Sequence, residues 1–158
     1  MGALRAAELR HRGMIGIGTV YQAVIRGLIT DDAELALAMC PFTYRAVSIP
    51  LVNIRAVLFA ARDRGLPSVA ANAAFCSASQ IHFLERTPAC LARAWRAVLP
   101  DHSRLLLSLL EDPSHDVKAA DTRLAIQYAV DSLQRASSVT MNWRHAPDPL
   151  PLWSGQDD

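Results

Sequence analysis

Apolar positions along the chain recur mostly three and four residues apart, and glycine and proline cut this helical pattern into short segments. Gly2 to Arg12 reads as a short helix ended by Gly13. Met14-Ile15-Gly16-Ile17-Gly18 is a glycine-broken turn, after which Thr19 is placed to cap a helix from Val20 to Arg26, closed by Gly27. Thr30-Asp31-Asp32 is a polar break. Glu34 to Met39 is too short for periodicity to choose between a strand and a helical turn, and Cys40-Pro41 ends it. Ser48 followed by Ile49-Pro50 predicts an N-cap and then a helix to Arg64, with Gly65 beyond it. Ser68 is expected to cap a segment reaching about Leu84. Thr87-Pro88 opens a helix over Ala89 to Leu99 in which Leu91, Trp95, Val98 and Leu99 share a face, and Pro100 stops it. Ser103 to Glu111 is short and leucine-rich. Pro113-Ser114 precedes the last long helix, Asp116 to about Arg135. Pro147, Pro149 and Pro151 make residues 138–158 read as an extended or disordered tail. The expected fold class is therefore mostly α with possible short β elements, in a single domain over residues 1–137.

Composition narrows the function classes. The chain has 158 residues, enough for one domain that buries a sizeable core without a disulfide or metal staple. Sixteen basic residues against fifteen acidic ones leave a formal charge of +1, too little to imply nucleic acid on charge alone. Cys40, Cys76 and Cys90 are odd in number and show no zinc-type spacing, so free thiols, a reducing cytoplasm and no metal are expected. No apolar run approaches a membrane span, and charges at the N-terminus break any signal-peptide core. The five histidines form no ligand pattern. Cys40 before Pro41 is a candidate reactive thiol or an inert packing residue. Leu66 to Leu99 passes loosely for a helix-turn-helix with Arg86, Arg93 and Arg96, but its arginines are few and its loop lacks the usual glycine, so no nucleic-acid partner is expected.

Charges placed inside apolar arcs are more informative. On a helical wheel, Arg5 and Glu8 fall between Leu4 and Leu9, on the arc that should face the core. They are also i, i+3 neighbours, close enough to pair. In the helix after Pro50, Arg55 lies amid Leu51, Val52, Ile54, Leu58 and Phe59. A buried guanidinium without a partner costs several kcal/mol, so each arginine must meet an acid or an anion, or must snorkel to water. Two readings follow. One is a set of structural ion pairs. The other is an arginine-lined anion site, with the Gly2-Ala3 end of the first helix donating backbone N–H groups. Asp31, Asp32 and Glu34 are the natural acidic counterpart in either case, or else a solvated turn.

The same stretches carry a resemblance. Met-Gly-Ala-Leu-Arg-Ala-Ala-Glu-Leu (1–9), Gly-Met-Ile-Gly-Ile-Gly (13–18), Asp-Asp-Ala-Glu-Leu-Ala (31–36) and Pro-Leu-Val-Asn-Ile-Arg-Ala (50–56) resemble the core motifs of TfuA-like proteins. Phe-Leu-Glu-Arg-Thr (83–87) and Asp-Val-Lys-Ala-Ala-Asp (116–121) are similar to later, looser patterns of that family. The likeness extends from residue 1 to about 130. It implies a core that is the remnant of an α/β domain followed by a helical bundle, because relatives carry an α/β segment and a serine-containing turn before the first motif, whereas this sequence starts at Met1. Where relatives tend toward Asp-Asp-Glu-Val, Ala33 and Leu35 interrupt the acids here.

The resemblance also implies a function. Family members work beside YcaO enzymes, which activate a backbone amide with ATP for attack by a sulfur species. The implied role is an accessory one in peptide backbone thioamidation, as in the biosynthesis of ribosomally made, modified peptides. The protein would release sulfide from a thiocarboxylated, ubiquitin-like sulfur-carrier protein, acting as a hydrolase. Expected partners are the YcaO enzyme, the carrier and a precursor peptide. Arg5, Glu8, Asp32 and Arg55 are the expected catalytic residues, Gly2, Ala3 and Asn53 the expected substrate-binding ones, and Lys118 and Asp121 distant supports that also fit a helical ion pair. No cofactor is implied. The alternative is a non-catalytic adaptor whose arginines dock the carrier or YcaO.

Overall fold

Prolines and glycines set most of the helix ends. The computed structural model describes residues 2–137, in which α1 (Gly2–Glu8), α2 (Thr19–Ile25), α3 (Leu51–Asp63), α4 (Ser68–Ser79), α5 (Pro88–Val98), α6 (Ser103–Leu110) and α7 (Val117–Ser137) follow one another, with 3-10 turns at Arg10–Arg12, Asp32–Glu34 and Pro113–His115. The mostly α class holds. Among the described residues there is no sheet, and the β pairing is one isolated antiparallel bridge between Met39 and Ala46. The undecided stretch from Glu34 to Met39 starts in the 3-10 turn that Glu34 ends, then runs without regular structure to the bridge residue Met39. The tail expected over residues 138–158 lies outside the described residues. The chain divides into two compact units, one of Met1–Thr30 with Val117–Asp158 and one of Asp31–Asp116.

In the first unit, α1 is shorter than its pattern suggests. It stops at Glu8, and Arg10–Arg12 form a separate turn closed by Gly13 at φ +86°, a left-handed conformation that glycine adopts without a Cβ penalty. Thr19 does not cap α2. The N-cap is Gly18, and the cap is supplied from a distance: the Asp121 carboxylate on α7 accepts the N–H groups of Thr19 (2.9 Å) and Val20 (2.7 Å). Gly18 sits at φ +94°, and a Cβ built there would fall onto the Asp121 carboxylate, so this cap requires glycine.

The second unit holds the contiguous apolar core. Leu51, Ile54, Val57, Leu58 and Ala61 of α3 pack with Ala71, Ala74 and Ala78 of α4, Leu91 and Trp95 of α5, and Leu106 and Leu109 of α6. Trp95 is fully buried, and its indole N–H donates to the Ala74 carbonyl at 3.1 Å, so its one polar atom is satisfied. Two expected caps are corrected. Ser48 and Ser68 do not cap α3 and α4; Pro50 and Pro67 occupy the N-cap positions. The Ser48 hydroxyl instead accepts the Ala38 N–H at 2.7 Å, tying together the two arms of the bridge-bearing loop. Thr87 caps α5 as its Thr-Pro sequence predicts, accepting the Cys90 N–H at 3.3 Å.

Arg86, one of the three arginines of the loose helix-turn-helix pattern, is 3% exposed. Its guanidinium donates to the carbonyls of Ile49 (3.3 Å) and Ile81 (3.0 Å), and its backbone carbonyl accepts the Ile49 N–H at 2.8 Å. Burial pulls its pKa below the ordinary value. The arginine therefore fixes the entry of the chain into α3 and is closed to phosphate.

Candidate functional site

Arg55 projects from the second turn of α3, where the helix has just left Pro50. Glu34, at the end of its 3-10 turn, meets it edge-on: Nε donates to Oε2 at 2.6 Å and Nη2 to Oε1 at 2.9 Å. This is the two-point fork that only arginine presents to a carboxylate. The guanidinium carbon lies 4.1 Å from the centre of the Phe75 ring on α4, so one flat face of the cation is covered by an aromatic. The side chains are 30% (Arg55) and 19% (Glu34) exposed. Arg55 thus occupies an apolar arc, as its periodicity predicts, and meets the required acid. That acid is Glu34, and not Asp32.

The rest of the acidic cluster does other work. Asp31 accepts the Ala33 N–H at 2.9 Å and so starts the turn that carries Glu34, while Asp32 is exposed. Two residues before Arg55, the Asn53 amide donates to Asp116 at 3.0 Å. Asn53 and Arg55 leave α3 on different sides, as their spacing implies.

In the first unit, Arg5 pairs with Glu8 at 2.7 Å, but the two side chains are 66% and 59% exposed. The expectation that they face the core is corrected. Ala6 is the buried position of α1, and Leu4 and Leu9 are only half-covered, so the arc between those leucines faces outward. Gly2 and Ala3 form the first turn of this seven-residue helix. The Asp121 carboxyl is pushed up by burial, against the N–H groups of Val20 and Thr19, which pull it down. The pKa of the half-buried Cys40 thiol is lowered by the Thr43 hydroxyl and by the Thr43 and Phe42 N–H groups. No group of three or more metal-ligating side chains occurs among the described residues. Nor is any described helix long and apolar enough to cross a membrane.

A family model of TfuA-like proteins matches residues 1–87, more than half of the chain. The chain belongs to the TfuA-like family. No curated protein matches it. The matched span contains Arg5, Glu8, Asp32, Glu34, Asn53, Arg55 and Arg86, and ends before Asp116 and Asp121. The family is associated in general with an accessory role in thioamidation, which makes this TfuA-like protein one that acts with others.

The structure gives the motifs a physical reading. Residues 31–36 and 50–56 meet through Glu34 and Arg55. Residues 13–18 and 116–121 meet through the Asp121 cap at Gly18-Thr19-Val20. Glu34 was legible as one of three acids awaiting an arginine, but nothing in the pattern singled it out. Phe75 gave no signal at all, because a phenylalanine in an alanine-rich helix reads as core.

Proposed function

We propose that this TfuA-like protein supports YcaO-dependent peptide backbone thioamidation by releasing sulfide from a thiocarboxylated, ubiquitin-like sulfur carrier. The single observation that supports this reading is the Glu34–Arg55 fork over Phe75, which joins two family motifs in a partly covered setting. In the reaction, water adds to the thioacid carbonyl, the carbon–sulfur bond breaks, and hydrosulfide leaves while the carrier retains a carboxylate. That chemistry needs a cation for the anionic terminus, a base for water and donors for the oxyanion. Arg55 suits the oxyanion, with Glu34 fixing its plane. Asp32 suits the water and Asn53 a neutral contact, both in the same unit as Arg55.

One observation favours the adaptor reading instead. Arg5 and Arg55 each already hold a carboxylate of this chain. Arginines so occupied orient a docking surface as readily as they bind a substrate.

Incubating the purified protein with thiocarboxylated carrier and measuring sulfide separates the two. Release that falls at least about a hundredfold in a folded Arg55→Ala variant supports hydrolysis, since removing one oxyanion donor costs that much. Tight carrier binding without sulfide supports the adaptor and overturns the hydrolase.

A further inference from the structure

Residues 13–18 belong to a family motif that the proposed site does not use, and their backbone is left open. From Met14 to Ile17 the chain runs without helix, turn or bend. Among the described residues, neither the N–H nor the carbonyl of Ile15, Gly16 or Ile17 takes part in a backbone hydrogen bond. Backbone groups are strong, obligatory donors and acceptors, and a row of them left unpaired is a template for another chain.

The side chains point the same way. A Cβ built on Gly16 would fall within the Tyr21 ring, and one on Gly18 onto the Asp121 carboxylate, so the glycine face lies against the body of the unit. The alternate positions face away: Ile15 is 51% exposed and Ile17 half-buried. An ordinary surface strand turns its apolar side inward. Here Ile15 and Met14 are left exposed, in a segment with no charged residue. Just before it stand three exposed basic or titratable residues, Arg10, His11 and Arg12.

We propose that residues 14–17 are a docking edge for an extended peptide, which pairs main chain to main chain, sets β-branched side chains at alternate positions against Ile15 and Ile17, and carries acidic residues at the end facing Arg10 and Arg12. Main-chain pairing supplies affinity, and the alternate side chains and end charges supply selection. The inference stands apart from sulfide release, since peptide binding is read with no carrier present.

The test uses the full chain and a fluorescein-labelled peptide of two glutamates followed by alternating valine and threonine, with binding read by fluorescence anisotropy. Saturable binding is expected. Methylating every second amide nitrogen of the peptide should weaken it at least about tenfold, as should Ile15→Pro, which removes an edge N–H. Ile17→Lys, with far-UV circular dichroism and the melting temperature checked against wild type, covers the case in which the proline variant does not fold. Exchanging the glutamates for lysines should also weaken binding. Undiminished binding of the methylated peptide, or by Ile17→Lys, or no binding to wild type, overturns the proposal. So does a wild-type dimer, seen by light scattering, that becomes monomeric in Ile17→Lys, for then the edge pairs with a second copy.

Discussion

The two units of this protein solve the same problem by different means. Residues 31–116 bury a continuous set of large side chains, with Trp95 and Leu91 sealed among four helices. Among the described residues of the unit formed by Met1–Thr30 and Val117–Asp158, the buried side chains are Tyr21 and mainly small or β-branched ones such as Ala6, Val20, Ala23 and Ile29, and Met14, Ile15, Ile25, Leu28, Ile126 and Val130 are exposed. Its order comes from aimed contacts: a carboxylate on two amides, and glycines where a side chain would collide. Burial is diffuse and tolerates adjustment. An aimed contact fails when one atom is displaced.

The comparison can be broken at its strongest point first. Trp95→Ala should cost about 3–5 kcal/mol, as large-to-small core changes do, and thermal unfolding would show it. A loss below about 1 kcal/mol would mean that the second unit does not depend on its core. Gly18→Ala should cost about 2–3 kcal/mol, because the new methyl meets the Asp121 carboxylate and the backbone is left-handed there. A near-neutral result in urea unfolding would show that the cap can move.

The third test is a pH dependence. The Asp121 pKa is raised in the folded state, so this group's contribution is full below its unfolded-state pKa and is lost as pH rises through the folded-state one. The stability difference between wild type and Asp121→Asn should therefore shrink as pH rises from below the ordinary aspartate range to above it. A difference that widens over that window reverses the sign and refutes the burial argument. The smallest effect belongs to Arg5→Ala. Its pair with Glu8 is exposed, and the change should stay within about 0.5 kcal/mol by the same unfolding measurement.

What the sequence revealed follows the same divide. Helices with a full apolar stripe and proline boundaries, such as α5 with its Thr87-Pro88 start, are legible because cap and stripe are local. The burial of Arg55 was legible too, since its five apolar neighbours surround it on the wheel. α1 misled: the helix stops at Glu8, so Leu9 does not share a helical face with Leu4, and Ala6 takes the buried position. The Asp121 cap was hidden because its donors lie about a hundred residues away in the chain, at Thr19 and Val20. The choice of Glu34 over Asp32 depended on which turn residue the Asp31 cap rotates toward α3. No spacing rule carries that information.

Arg86 has a consequence of its own. Carbonyl oxygens of two residues, Ile49 and Ile81, solvate its charge. Lysine offers its donors from a single nitrogen where arginine spreads them over a planar fork, so an exchange that keeps the charge is expected to loosen the hold on the Ile49 and Ile81 carbonyls. The segment between them, which contains all of α3 and α4, is held shut like a ring by a non-covalent clasp. The Ile49 amide proton, inside that clasp, is a natural reporter of its opening in hydrogen–deuterium exchange.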